Sequence, residues 1–450
     1  MQAKTTVARF LQFGVFLLLL GGCASQPKPP ALTAEQKQAN VESFDIVYSK
    51  IKERHFDPAK VGPAWDAEHA RLRPKVETAT TMGEARSASK ELIDSLHQSH
   101  FGIIPGDVYS DLSPDDSARP ESGSGDWSGD PGFQVRAIDG KAVVTRVRPG
   151  SPAAKAGVIP GWTLLKVDSR DVTKVLAKMD ASFAGKQDKG MLESAALRSI
   201  VGGGESKPME AVFLDGNDKQ VAVTLDRIGP AGTPVTFGNL PTLYLEIEDK
   251  KLPEMIGYFY FSIWFDPPKL MPALQKALES CDDCRGFILD LRGNIGGIGA
   301  LAMGFGGWFV DKPNQRLGTM TTRDSSFNFV LNPRSKPFMG PLAILVDEMS
   351  ASTSEIFAGG MQDIGRARVF GTHTPGAALP STVEKLPNGD RLQYAFANYV
   401  SAKGTTLEAT GVVPDEPIAL SRELLLAEGD PVLNAAIRWI QSQSGARAGK

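Results

Sequence analysis

A chain of 450 residues is long enough for two or three domains, each with a core of its own. Its 49 Lys and Arg stand against 52 Asp and Glu, a net charge of −3, and no basic cluster is interleaved with aromatic residues. The electrostatic footprint of a nucleic-acid binder is therefore missing, which argues against a nucleic-acid partner.

The chain opens as a targeting segment. Lys4 and Arg9 precede an almost wholly apolar run over residues 10–20, and Leu20-Gly21-Gly22-Cys23 follows at once. The run is too short for a permanent membrane span, so residues 1–22 read as a cleaved signal. Its ending resembles a bacterial lipoprotein lipobox. That resemblance implies a lipid on Cys23 and attachment to a membrane of the cell envelope, in a Gram-negative cell the outer membrane facing the periplasm. The rival reading is an ordinary secretory signal with an incidental cysteine. Residues 23–32 contain Pro27, Pro29 and Pro30 and read as a tether.

From Thr33 the pattern turns helical. Thr33-Ala34-Glu35-Gln36 suits a helix start, and Val41, Phe44, Tyr48 and Ile51 share one face. Asp57-Pro58 ends this helix, and further helices are expected around 65–72 and 82–96. Together they form a helical subdomain over residues 33–105 that closes on LHQSHFGII. Of the five histidines, His55 and His69 sit in charged helical surroundings and read as surface residues. His97 and His100 flank the point where helix gives way to strand, an edge from which a side chain can point into a cleft.

Residues 106–127 are rich in Ser, Asp, Gly and Pro and read as a linker. A β-rich domain follows over 128–229, with short strands expected at 133–135, 142–144, 163–165, 212–214 and 221–225. Within it, VRPGSPAAKAGVIPGWTLLKVD places a helix after Ser151-Pro152 and turns at Gly157 and Gly161. This segment resembles a PDZ domain, a fold that adds a peptide C-terminus as a strand to a sheet edge and holds its carboxylate on backbone N–H groups. The resemblance makes Gly132, Phe133 and Gln134 the carboxylate loop. The rival reading is a structural insert with no free groove.

Residues 230–450 are mixed α/β. Strands are expected at 243–247, 256–263, 286–290 and 342–346, and a helix at 270–278, which implies a sheet with flanking helices. The LRGNIGGIGA stretch after Asp290 lacks both the Lys-Ser/Thr ending of a phosphate loop and GxGxxG spacing, so its glycines serve instead to bring backbone N–H groups close to a reacting centre. Cys281 and Cys284 form a lone CxxC, read as a local disulfide or two free thiols rather than a metal site. After the apolar run 342–346, the small residues Ser350 to Thr353 launch a helix carrying Glu355. A serine there sits beside helix N-terminal N–H groups and a positive dipole end, ready to stabilise an oxyanion. The same Ser352 and Glu355 also fit a capping box, the bland alternative.

Three segments in order, DLRGNIGG, SASTSEIFAGGMQDIGRARVFG and GTTLEATGVVPD, with a PDZ-like domain upstream, resemble the C-terminal-processing and tricorn-like serine peptidases over about residues 33–439. The resemblance implies a multidomain α/β protein with a ClpP/crotonase-like peptidase core, acting on protein or peptide substrates without metal or organic cofactor. The nucleophile then stands three residues before Glu355, at Ser352, with Ser350 and Ser354 as near misses. C-terminal-processing members place a catalytic lysine after Thr-Phe-Gly; here the residues are Thr374-Pro375-Gly376-Ala377, and alanine cannot act as a base. Tricorn-like members use a histidine from the N-terminal region and a glutamate beyond the serine. Ser99-His100 and Glu408 match those positions. The expected triad is Ser352 as nucleophile, His100 as base and Glu408 orienting the imidazole, with an oxyanion hole from the N–H of Thr353 and of Gly296 or Gly297. His373 is the rival base. A lipoprotein scaffold with a silent peptidase fold is the rival function.

Overall fold

The computed structural model describes residues 31–106, 129–185, 188–203 and 207–447. The expected signal, Cys23, most of the expected tether and nearly all of the expected 106–127 linker lie outside them.

The helical unit consists of Ala34–Arg54, Pro63–Glu77 and Met82–Asp94. Thr33 starts the first helix through a reciprocal capping box with Gln36. Phe44, Val47, Ile51, Trp65, Leu72 and Leu92 bury one face of each helix. The core of these three helices is completed by Leu379, Leu386, Leu392 and Tyr394 from far downstream. Those residues flank or form the hairpin of Ser381–Lys385 and Arg391–Ala395, onto which Gly102–Ile104 adds as an antiparallel strand. An Arg86–Asp390 ion pair at 2.8 Å fixes the join.

The five main strands of an antiparallel sheet come next, in the order Phe133–Ile138, Lys141–Val147, Thr163–Val167, Met209–Leu214, Gln220–Leu225, with the two-residue strand Arg170–Asp171 pairing on the third. The helices Val172–Phe183 and Lys189–Val201 pack on it, and the sequence reading missed both. The signal for the first was present: Asp171 caps it, and Val172, Leu176, Met179 and Phe183 recur at helical spacing on the buried face.

The third unit is a six-stranded sheet in the order Ile247–Leu252, Ile256–Phe261, Gly286–Asp290, Leu342–Val346, Arg368–Gly371, Glu416–Pro417. The first pair is antiparallel and the others parallel. The single strand expected at 243–247 breaks at Glu246: Leu243–Leu245 pairs instead with Thr233–Val235. Both faces are covered, as a parallel sheet requires. Leu342, Ile344 and Val346 face the cluster built with Pro267–Glu279 and Thr353–Asp363, while Ala343 and Leu345 face Val432, Ala436 and Ile440 of the last helix, Pro431–Arg447. Among the described residues no helix is long and apolar enough to cross a membrane.

Cys281 and Cys284 are joined as a disulfide in the turn after Pro267–Glu279, with Cα atoms 4.9 Å apart. The parallel strands matter most for function. The glycine turn 291–299, the serine turn 347–352 and the loop 372–380 leave the C-terminal ends of three neighbouring strands, where α/β sheets place their ligand sites.

Candidate active site

Ser352 occupies the N-cap of the Thr353–Asp363 helix with φ 57° and ψ −118°. A left-handed φ on a residue other than glycine costs on the order of 1–3 kcal/mol and persists only where neighbours impose it. Here the Ser352 N–H is held by the Ala377 carbonyl at 2.8 Å and by the Glu355 carboxylate at 3.1 Å. The two near-miss serines are consumed by structure. Ser350 Oγ donates to the Leu291 carbonyl and accepts from the Asp347 N–H, and Ser354 Oγ donates to the Asn294 carbonyl and accepts from Trp264 Nε1. Both are fully buried, whereas Ser352 is partly exposed.

The glycine turn lies directly against the serine. A Cβ on Gly296 would stand 2.6 Å from Ser352 Cβ, so only glycine permits this approach. The Gly296 N–H is already donated to Asn294 Oδ1 at 3.0 Å. Of the two glycines expected to face an oxyanion, Gly297 therefore keeps its N–H available, and so does Thr353 at the first turn of the helix, where N–H groups have no intrahelical acceptor. Asn294, which holds this turn, was not singled out from the sequence.

His100 arrives from the helical unit with φ 60°, buried, its Nδ1 2.8 Å from Ser99 Oγ. Ser99 Oγ donates to Glu408 Oε2 at 2.7 Å, and the Ser99 N–H donates to Glu408 Oε1 at 2.8 Å. A hydroxyl that spends its proton on the carboxylate must accept from the ring. Nδ1 therefore carries the imidazole proton, and Nε2 keeps its lone pair. Glu408 was expected on the imidazole itself; its hydrogen bonds go instead to Ser99 and to the Ala378 N–H at 3.2 Å, so Ser99 is the link between carboxylate and ring. The signal was its adjacency to His100, but a serine beside a histidine says nothing of where its hydroxyl points. Burial pulls His100 down to about 4 and pushes Glu408 up.

The loop 374–378 ties these groups together. Glu355 is fully buried, and its Oε1 accepts from Thr374 Oγ1 at 2.6 Å and the Gly376 N–H at 2.8 Å, while Oε2 accepts from the Ala377 N–H at 2.9 Å as well as from Ser352. Burial pushes this carboxyl up to about 7 against the pull of those donors. Ala377, the position expected to match the dyad lysine, lies in an apolar cluster with Met191, Met349 and Ala351. His373 is exposed at the edge of the same loop. His55 and His69, read as surface residues, are not: His55 is fully buried, and His69 stacks on Tyr48 and bonds Asp45 at 2.8 Å.

Gly132 sits at φ 89° with Ser151 pressed against its Cα, and its N–H donates to Asp130 Oδ1 at 2.6 Å. Phe133 and Gln134 begin the edge strand of the five-stranded sheet. Along that edge runs a cavity of about 510 Å³, walled by Phe133, Val135, Leu197 and Val201. It reaches Ile295 and Met349, side chains that pack on Ala351 and Ala377 beside Ser352. The β-rich unit also clasps the serine turn: Glu348 pairs with Arg136 and accepts from Ser194 Oγ at 2.8 Å. Among the described residues no His, Cys, Asp and Glu cluster has a metal-holding arrangement.

Residues 255–418 match the model of peptidase family S41. A "Probable CtpA-like serine protease" of Staphylococcus haemolyticus is 26% identical over 319 residues, 70% of this chain and 57% of that one. The carboxy-terminal processing protease CtpA of Bacillus subtilis is 25% identical over 289 residues, 63% and 54%. The chain thus spans little more than half the length of these curated relatives. Among solved structures, the photosystem II D1 C-terminal processing protease superposes with a TM-score of 0.54 at 20% identity, over 90% of this chain and 97% of that one. Mature CPAF complexed with lactacystin gives 0.58 at 12%, over 92% and 98%, so the likeness is one of fold. Through its core, residues 255–418, the chain is thus similar to peptidase family S41, and the curated relatives it resembles are named as a serine protease and a carboxy-terminal processing protease.

Proposed function

We propose that this protein is a cell-envelope serine endopeptidase that hydrolyses peptide bonds in protein or peptide substrates through Ser352, His100 and Glu408, with Ser99 relaying between the last two. The observation that carries the reading is the hydrogen-bonded line from Glu408 through Ser99 to His100 Nδ1, which leaves Nε2 the only basic atom of the ring. In the reaction, His100 Nε2 takes the Ser352 Oγ proton as the oxygen attacks the substrate carbonyl. The N–H groups of Gly297 and Thr353 receive the developing oxyanion. The imidazolium, stabilised through Ser99 by the carboxylate, then returns its proton to the leaving amine, and water releases the acyl group by the same route.

The five-stranded unit acts as a PDZ domain on a ClpP/crotonase-like core, its edge strand receiving a substrate tail in the cavity beside Gly132, Phe133 and Gln134. The Glu348 clasp supports a gating role, since the unit that binds the tail also bears on the serine turn. A lipid on Cys23 would hold the enzyme at the membrane. Labelling with a fluorophosphonate probe tests the reading: wild type forms an adduct, whereas Ser352→Ala and His100→Ala do not. A folded wild type that takes no label would favour the silent scaffold, a reading whose one support is the alanine at position 377.

A further inference from the structure

His55 caps the C-terminus of the Ala34–Arg54 helix and is fully buried. Its Nδ1 accepts from the Asp57 N–H at 3.0 Å, which places the ring proton on Nε2, and Nε2 donates to Gln98 Oε1 at 2.7 Å. The ring stacks on Phe101 with centroids 5.5 Å apart and an interplanar angle of 11°. Arg323, from the turn between the strands Gln315–Thr322 and Ser326–Leu331, donates to the His55 carbonyl at 3.2 Å and to the Lys52 carbonyl at 2.8 Å. Burial lowers the His55 pKa and keeps the ring neutral, so this donor and acceptor assignment is stable at neutral pH.

Gln98 and Phe101 bracket Ser99 and His100. The segment is strained at both ends, with φ 51° at His97 and φ 60° at His100, a conformation costing roughly 1–2 kcal/mol for each residue other than glycine. It is held from one side by Glu408 on Ser99. We infer that His55 holds it from the other side and is the positioning residue that aims His100 at Ser352, acting through Gln98 and Phe101. The helical unit is then part of the catalytic apparatus, not only a cover for the hairpin 381–395. The inference rests on the peptidase reading above for its rate consequence, but not for its geometry.

The test uses the full chain, four single variants and the double variant His55→Phe/Gln98→Leu. His55→Phe keeps the stacking and loses both hydrogen bonds; Gln98→Leu removes the acceptor; His55→Gln keeps a donor near the position of Nε2. Val61→Ala, in the same helical core, supplies a stability loss at a residue outside the segment. The readouts are the rate of fluorophosphonate acylation, kcat and KM on a peptide, the urea midpoint, and the ¹⁵N signals of the His100 ring. A displacement of about 1 Å can cost on the order of a hundredfold in rate. His55→Phe and Gln98→Leu are therefore each expected to slow acylation roughly 10- to 100-fold, to lower kcat with little change in KM, and to give a double variant no slower than either single. His55→Gln stays within about threefold of wild type, and Val61→Ala acylates normally while folded.

Wild-type acylation in folded His55→Phe would overturn the inference, as would equal slowing in Val61→Ala or additive losses in the double variant. If His55→Phe does not fold, the contrast of His55→Gln with Gln98→Leu decides, equal rates overturning the inference. If wild type takes no label, the peptidase reading fails, and the His100 ring signals decide on their own. A shift in Gln98→Leu supports positioning, and unchanged signals overturn it.

Discussion

Replacing Glu355 by glutamine tests the join between the serine turn and the loop 374–378. The carboxylate accepts from four donors, Thr374 Oγ1, Gly376, Ala377 and Ser352, two on each oxygen. An amide keeps only one accepting oxygen, and its NH₂ would face either two N–H groups or Gly376 N–H and a Thr374 hydroxyl already accepting from the Val412 N–H at 2.7 Å. Two charge-assisted bonds are lost, at about 1.5–3 kcal/mol each. Against this, the variant no longer buries a charge. The carboxyl rises from 4.5 to about 7, which at about 1.4 kcal/mol per tenfold change in proton activity is a shift of about 3 kcal/mol. That shift is already net of the pull of the four donors, so it measures how far burial outweighs them in stability; the loss of the donors is what bears on geometry.

The sign follows from the raised value. Glu355 contributes stability fully below pH 4.5 and loses that contribution as pH rises through about 7. The four donors, in contrast, are satisfied only by the ionised form, so the serine turn is best ordered above pH 7. Acylation by wild type is expected to rise through pH 7 while the urea-derived stability difference between wild type and Glu355→Gln falls by about 3 kcal/mol between pH 4.5 and 7. Glu355→Gln should acylate roughly 10- to 100-fold more slowly at pH 8, with a flat profile. His100, held down to about 4 by burial, titrates below this window in the fold. An acid limb near 7 that survives unchanged in Glu355→Gln would refute the reasoning.

Ser99→Ala strands the buried His100 Nδ1–H; about 1–3 kcal/mol of stability and a 10- to 100-fold slower acylation are expected, read by urea unfolding and probe labelling. Gly296→Ala, at φ 97° and against Ser352 Cβ, should fold less well and lose labelling altogether, checked by circular dichroism and mass spectrometry of the adduct. Ala377→Lys is expected to cost about 3 kcal/mol or more by forcing an ammonium into an apolar cluster, and in a His100→Ala background it should not restore peptide hydrolysis. Reducing the Cys281–Cys284 disulfide opens a loop of four residues, worth about 2 kcal/mol in the chain-entropy model; the melting temperature should drop by a few degrees with acylation unchanged, because the bond lies at the opposite end of the Gly286–Asp290 strand from the glycine turn.

The helix starts at Thr33 and Met82, the buried strands 286–290 and 342–346 and the position of Ser352 were legible because each rests on local chemistry: caps, continuous apolar runs, and a motif compressed into a few residues. The division into subdomains was legible only in part, since Leu379, Leu386 and Leu392 complete a core that begins at Phe44, and no local pattern announces a partner more than 300 residues away. The same limit explains His55. Its charged neighbours Lys52, Glu53 and Arg54 suggested an exposed ring, whereas packing against Phe101 buries it.

The chain order of residue types was enough to nominate a nucleophile, a base and a carboxylate, because reactive side chains are few and their motifs short. Folding alone could decide how they connect. Which oxygen of Glu408 meets Ser99, which ring nitrogen of His100 is left basic, and which of two glycines still offers an N–H are matters of hydrogen-bond accounting among groups brought together from residues 99, 297, 352, 377 and 408. Such accounting depends on distances of a few ångströms between distant segments, which spacing along a chain does not encode.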